Sequence, residues 1–98
     1  MHNFIVNASI QLLPIVQDRH AYDWVDEAIA VIQHSGIKHE VGAFATVIEG
    51  SYADVMKMIN DVNEHLYKKG CAEWMASVQI QIRSGGPITG DEKTAKFQ

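Results

Sequence analysis

Two stretches near opposite ends of the chain repeat every second residue, and the longest segments between them repeat every third and fourth. From Phe4 to Leu13, Phe4, Val6, Ala8, Ile10 and Leu12 fall on one face and Asn7, Ser9 and Gln11 on the other. From Glu73 to Arg83, Trp74, Ala76, Val78, Ile80 and Ile82 alternate with Met75, Ser77, Gln79, Gln81 and Arg83. A period of two belongs to a strand with one face on a core. Pro14 closes the first strand because proline has no N–H for the ladder, and Gly85-Gly86-Pro87 breaks the last.

Between them, Tyr22, Val25, Ala28, Ile29 and Ile32 lie on one stripe of a helix over Ala21–Ser35, with Gly36 placed to cap it in the left-handed conformation. Trp24 and Val31 stand beside the stripe and read either as flank packing or as a subunit contact. Ile37–Val41 and Ala45–Glu49 make a short strand pair around Gly42-Ala43, where a glycine supplies a permitted positive φ. A second helix starts at Ser51, with Asp54 completing a variant of the capping box. Val55, Met56, Ile59, Val62 and Leu66 form its apolar stripe, and Lys68-Lys69-Gly70 ends it with positive charge at the negative end of the dipole.

The order strand, helix, strand, strand, helix, strand predicts an α+β, ferredoxin-like βαββαβ domain over residues 1–98, ending in a polar tail, Thr89–Gln98. That topology is a four-stranded antiparallel sheet with both helices on one face. The first and third strands are central, and the far face has no cover from its own chain. Exposed sheet faces ordinarily carry charge, yet Asn7, Ser9, Gln11, Ser77, Gln79 and Gln81 are polar and neutral, with Ile5, Leu13 and Met75 adding apolar area. Such a mixture suits a subunit interface or a small-molecule surface better than a solvated face.

Composition narrows the class. In 98 residues, 47% hydrophobic, one modest core can form, which oligomerisation would help to stabilise. The net charge is −4 and the cations are dispersed, so no footprint for nucleic acid exists. Nor do aromatics line the outer face of the first strand, as they would in an RNA-binding sheet of this topology. One cysteine, Cys71, excludes an internal disulfide and reads as a small buried filler in a reducing compartment. Without a basic flank at the N-terminus or an apolar run of spanning length, a cytoplasmic protein away from membranes is expected.

No nucleophile motif or phosphate-cradling loop is present, and an acylphosphatase would need a basic anion cradle where the chain reads Pro14-Ile15-Val16. The five histidines are not spaced as a metal motif, so no metal and no cofactor are expected. A general base could come only from Glu49 or His65. Glu49, at the end of an apolar strand, reads either as a solvated carboxylate paired with a lysine or as the acid that captures an amino-bearing heterocycle, with Phe44 to stack and Thr46 to hydrogen-bond. Strand parity leaves two placements: with Ile48 toward the helices, Glu49 joins Val47 on the open face; in the reverse register it lies under the helices.

The pieces Ala8-Ser9-Ile10-Gln11-Leu12-Leu13-Pro14, Tyr22 through Ile29, Ser35-Gly36, Glu40-Val41-Gly42, Thr46 and Ile48-Glu49-Gly50 stand in a characteristic order. Asp54-Val55-Met56, Gly70, Ile80-Gln81-Ile82-Arg83 and Asp91-Glu92-Lys93 continue it. In these pieces, nearly along its full length, the chain resembles the thiamine-binding proteins of ferredoxin-like fold. The resemblance implies a subunit of a dimer of dimers, a homotetramer that binds thiamine or its hydroxymethylpyrimidine part without established catalysis, in vitamin salvage or transport. A turn that in the family usually reads Gly-Pro-x-x-Thr-Thr has Ala43 for the proline and Val47 for the second threonine. The expected ligand-binding set is Glu49, Thr46 and Phe44 with the polar row Asn7, Ser9 and Gln11. A regulatory or structural homo-oligomer with no small-molecule ligand is the alternative.

Overall fold

The computed structural model describes residues 2–15 and 21–85. The polar tail expected at Thr89–Gln98 lies outside them. In chain order the elements are β1 (Ile5–Pro14), α1 (Ala21–Ser35), β2 (Lys38–Val41), β3 (Thr46–Ser51), α2 (Tyr52–Lys68) and β4 (Trp74–Gln81). The strands form one antiparallel sheet in the order β2-β3-β1-β4, so β1 and β3 are central, as the ferredoxin-like reading requires.

Alternation along the central strands decides which side is dry. Val6, Ala8 and Ile10 of β1 and Ile48 of β3 pack with Ala28 and Ile32 of α1 and Val55, Met58 and Val62 of α2 in one core. Both helices therefore cover the same face. A second cluster, Trp24, Leu66 and Cys71, closes one end, with Leu12 and Trp74 packed against it. Trp24 is only 1% exposed, which resolves its open reading in favour of core packing. Tyr22, expected in the stripe, is instead exposed. α1 turns to bury Trp24, Ala28 and Ile32, four residues apart, because the larger indole removes more apolar area from water than the Tyr22 phenol would. In α2 the buried line is Val55, Met58, Val62 and Leu66, and Met56, one position round from Val55, faces out.

The helix ends follow from local chemistry. Ser51 is the N-cap of α2, its hydroxyl accepting from the Asp54 amide at 3.1 Å, so the helix begins one residue later than the sequence suggests. At its C-terminus the amide of Cys71 donates to Leu66 O and that of Gly70 to Tyr67 O. This Schellman arrangement needs the left-handed φ of +92° that Gly70 adopts. Gly36 ends α1 in the same conformation, with φ +77°.

Gly42 differs from expectation. Its φ is not positive; a Cβ there would stand 2.8 Å from the carbonyl oxygen of Ala45, to which its own amide is bonded. Close approach of backbone across the turn, not handedness, requires glycine. No helix among the described residues is long and apolar enough to cross a membrane.

Candidate functional site

With Ile48 1% exposed in the core, the next residue of β3 must point the other way. Glu49 therefore lies on the face that the helices leave open. Its neighbours are set by register: β3 puts it across from Asn7 on one side and Lys38 on the other, and Asn7 faces Gln81 of β4. Lys38, Glu49, Asn7 and Gln81 thus form one row across all four strands.

Within that row Asn7 Nδ2 donates to Glu49 Oε1 at 3.2 Å, and Lys38 Nζ stands 3.2 Å from Glu49 Oε2. The three side chains differ in shelter. Asn7 is 3% exposed, the Glu49 side chain 14% and that of Lys38 62%. A buried amide holding one oxygen of a carboxylate is a fixed partner, because breaking the bond leaves both groups without water in exchange. The lysine contact is of the exposed kind, held weakly. The ion pair answers to the plainer of the two sequence readings of Glu49, while the sheltered Asn7 contact has no counterpart in that reading.

Beside this row a hollow of about 320 Å³ is lined by Asn7, Ser9, Val47, Gln79 and Gln81. Next to it, Ser9, Gln11, Ala45, Ser77 and Gln79 border a second. Both floors mix amide and hydroxyl groups with apolar atoms of Val47, Ile80, Ala45 and Val78 and carry no formal charge; the charges stand at the β2 and β3 side, as Glu49, Lys38 and Glu40. Such a surface offers donors and acceptors to a flat polar ring and one acid to a cationic or amino-bearing one.

The six residues expected to form one site are therefore divided by the sheet. Asn7, Ser9, Gln11 and Glu49 share the open face. Thr46 does not: three positions before Glu49 it has the parity of Ile48, faces the helices and is 7% exposed. Phe44, 85% exposed, sits in the Gly42–Ala45 turn. Thr46 and Phe44 line a separate hollow of about 190 Å³ with Tyr22, Val25, Ile29 and Val41, which Gln11 also borders. Along an extended strand Thr46 and Glu49 are roughly 10 Å apart, on opposite sides.

His65 does not converge with Glu49 either. It lies on α2, its Nε2 3.1 Å from Glu27 Oε2 of α1, in the helical layer. No group of three or more His, Cys, Asp or Glu side chains able to hold a metal occurs among the described residues.

Lys38 is the lysine that sequence reading expected beside Glu49 without identifying it. The signal lay in the hairpin: Val41 pairs with Thr46 across the four-residue turn Gly42–Ala45, and counting back along each strand sets Lys38 against Glu49. A loop one residue shorter, with β3 starting at Ala45, would set Ile37 there instead.

Comparison with known proteins points one way. The description "thiamine-binding protein" belongs to the family whose pattern matches residues 8–98. A UPF0045 protein of Clostridium perfringens is 35% identical over 92 residues, 94% of this chain and 96% of that protein. The solved structure of a Bacillus cereus domain of unknown function superposes with a TM-score of 0.89 at 30% identity, covering 97% of this chain and 91% of that one. A candidate thiamine biosynthesis or salvage protein of Thermotoga maritima superposes with a TM-score of 0.84, also at 30% identity, over 96% of this chain and 99% of its own.

Proposed function

Because the chain belongs to the thiamine-binding protein family, we propose that it binds thiamine or the hydroxymethylpyrimidine part of it reversibly and without catalysis, as a cytoplasmic homo-oligomer serving salvage or transport. The observation that carries this reading is the sheltered Glu49–Asn7 pair on a sheet face that no helix covers. Asn7 holds one carboxylate oxygen in place, so the acid is oriented before a ligand arrives and little ordering cost remains at binding. An aminopyrimidine can donate its amino N–H and, when protonated, a ring N–H to such an acid, and charge-assisted bonds of this kind are the stronger ones. Ser9, Gln79 and Gln81 supply neutral partners for the remaining ring atoms.

Titration calorimetry with thiamine and with hydroxymethylpyrimidine tests the reading. Saturable binding is expected, and Glu49→Gln should weaken it by about 1.5–3 kcal/mol, the worth of a hydrogen bond to a charged group, or roughly ten- to a hundredfold. Absence of heat with either compound at millimolar concentration, or unchanged affinity in Glu49→Gln, rejects it.

A second reading places the ring in the hollow at the β2–β3 turn, and the observation in its favour is the pair of exposed aromatics, Tyr22 and Phe44, beside the buried Thr46 hydroxyl. Aromatic rims of this kind stack flat rings. Thr46→Val separates the two: it weakens binding only if this second hollow is the one used.

A further inference from the structure

The ion pair between Lys38 and Glu49 creates a difficulty for any cationic ligand, since one oxygen of the acid already faces an ammonium. We infer that Lys38 is a resident competitor, a built-in cation that occupies Glu49 in the free protein and is exchanged for the cation of the ligand on binding. This inference rests on the proposed use of Glu49 as the ligand acid.

Three observations carry it. Asn7 and Lys38 hold Glu49 unequally: Asn7 is buried, whereas the Lys38 side chain is 62% exposed on the edge strand β2, where an ion pair to the acid is weak. Displacement also has a destination. Glu40, exposed and two residues along the same face of β2, offers the released ammonium another carboxylate within reach of a lysine stem. Finally, Asn7, Ser9, Val47, Gln79 and Gln81, which lie beside the pair on the sheet, are uncharged, so none of these five competes with Lys38 for Glu49.

A neutral ring must break the ion pair and return no charge to Glu49. A cation replaces one positive partner by another and leaves the acid neutralised. The device thus lowers the affinity of every ring that displaces Lys38 by the same worth of one ion pair, and the preference for a cation comes from Glu49 itself. It also makes binding an exchange of ion pairs, nearly insensitive to salt, because screening weakens what is lost and what is gained alike.

The test is calorimetry with thiamine, in buffer acidic enough to protonate its aminopyrimidine, at low and high sodium chloride, on the parent, Lys38→Gln and Glu49→Gln. Lys38→Gln should bind thiamine about two- to fivefold more tightly at low salt, the worth of an exposed ion pair, and should lose that gain as salt rises, while the parent changes little. If Lys38→Gln binds no more tightly than the parent and has the same salt response, while Glu49→Gln binds weakly, Lys38 is only a surface partner and the inference is overturned with the proposed function intact. If the parent and Lys38→Gln both fail to bind thiamine, or Glu49→Gln binds as well as the parent, the inference falls together with the proposed role of Glu49.

Discussion

Asn7 shows how one side chain can be out of place by its surroundings and in place by its bonds. An amide that is 3% exposed on a strand otherwise carrying Val6 and Ala8 would cost more than it returns unless its donors were met, and Glu49 Oε1 meets one of them at 3.2 Å. Replacing it has a stated consequence. Asn7→Ala should lower the unfolding free energy by about 1–3 kcal/mol, because the carboxylate loses its sheltered partner and a small cavity opens; urea denaturation measures it. Ligand affinity should fall as well, since Glu49 would no longer be held by the amide. At this scale the sequence was half legible: Glu49 stands out at the strand end and Asn7 in the polar row, but their bond joins residues 42 positions apart. Local pattern carries no information about such a pairing.

Among the elements, the β2–β3 hairpin governs the site more than its four-residue first strand would suggest. The turn from Gly42 to Ala45 sets the register, and the register decides that Lys38, not Ile37, meets Glu49. Gly42 is the residue that permits this turn. Gly42→Ala should destabilise the fold by about 1–3 kcal/mol, the cost of forcing a methyl group against a backbone oxygen that cannot retreat, and should disturb the Lys38–Glu49 contact; thermal melting and amide shifts across β2 and β3 record both. Sequence periodicity anticipated both helices and the two long strands, with caps at Ser51, Gly36 and Gly70. It misjudged the hairpin because glycine in a short turn commonly signals positive φ, whereas here it relieves a close approach. The choice of Trp24 over Tyr22 in α1 was equally hidden, since both lie near the edge of the same stripe and only the space between α1, α2 and β1 selects one.

For the whole molecule, the open sheet face is the feature with the widest consequence. At one end of it Leu13 and Met75 sit side by side on β1 and β4, 57% and 56% exposed, next to the neutral rows described above. Two large apolar side chains paired across adjacent strands at one end of this face favour burial against another copy of the chain. The expected homotetramer is tested by light scattering coupled to size-exclusion chromatography: Leu13→Lys should shift the population toward smaller species, because burying an unpaired ammonium at an interface is costly. A parent protein that elutes as a monomer at all concentrations would remove the assembly.

From the amino acids alone came the element order, the antiparallel sheet with both helices on one side, and the division of each long strand into a dry and an open face, because each follows from a period that any short window displays. Only the folded chain decided which functional side chains meet. Glu49 joins Asn7 and Lys38 through pairings with two different strands, while Thr46, three residues away, is turned under the helices. Contacts across a sheet depend on register between distant segments, and register is a property of the assembled core, not of any segment by itself.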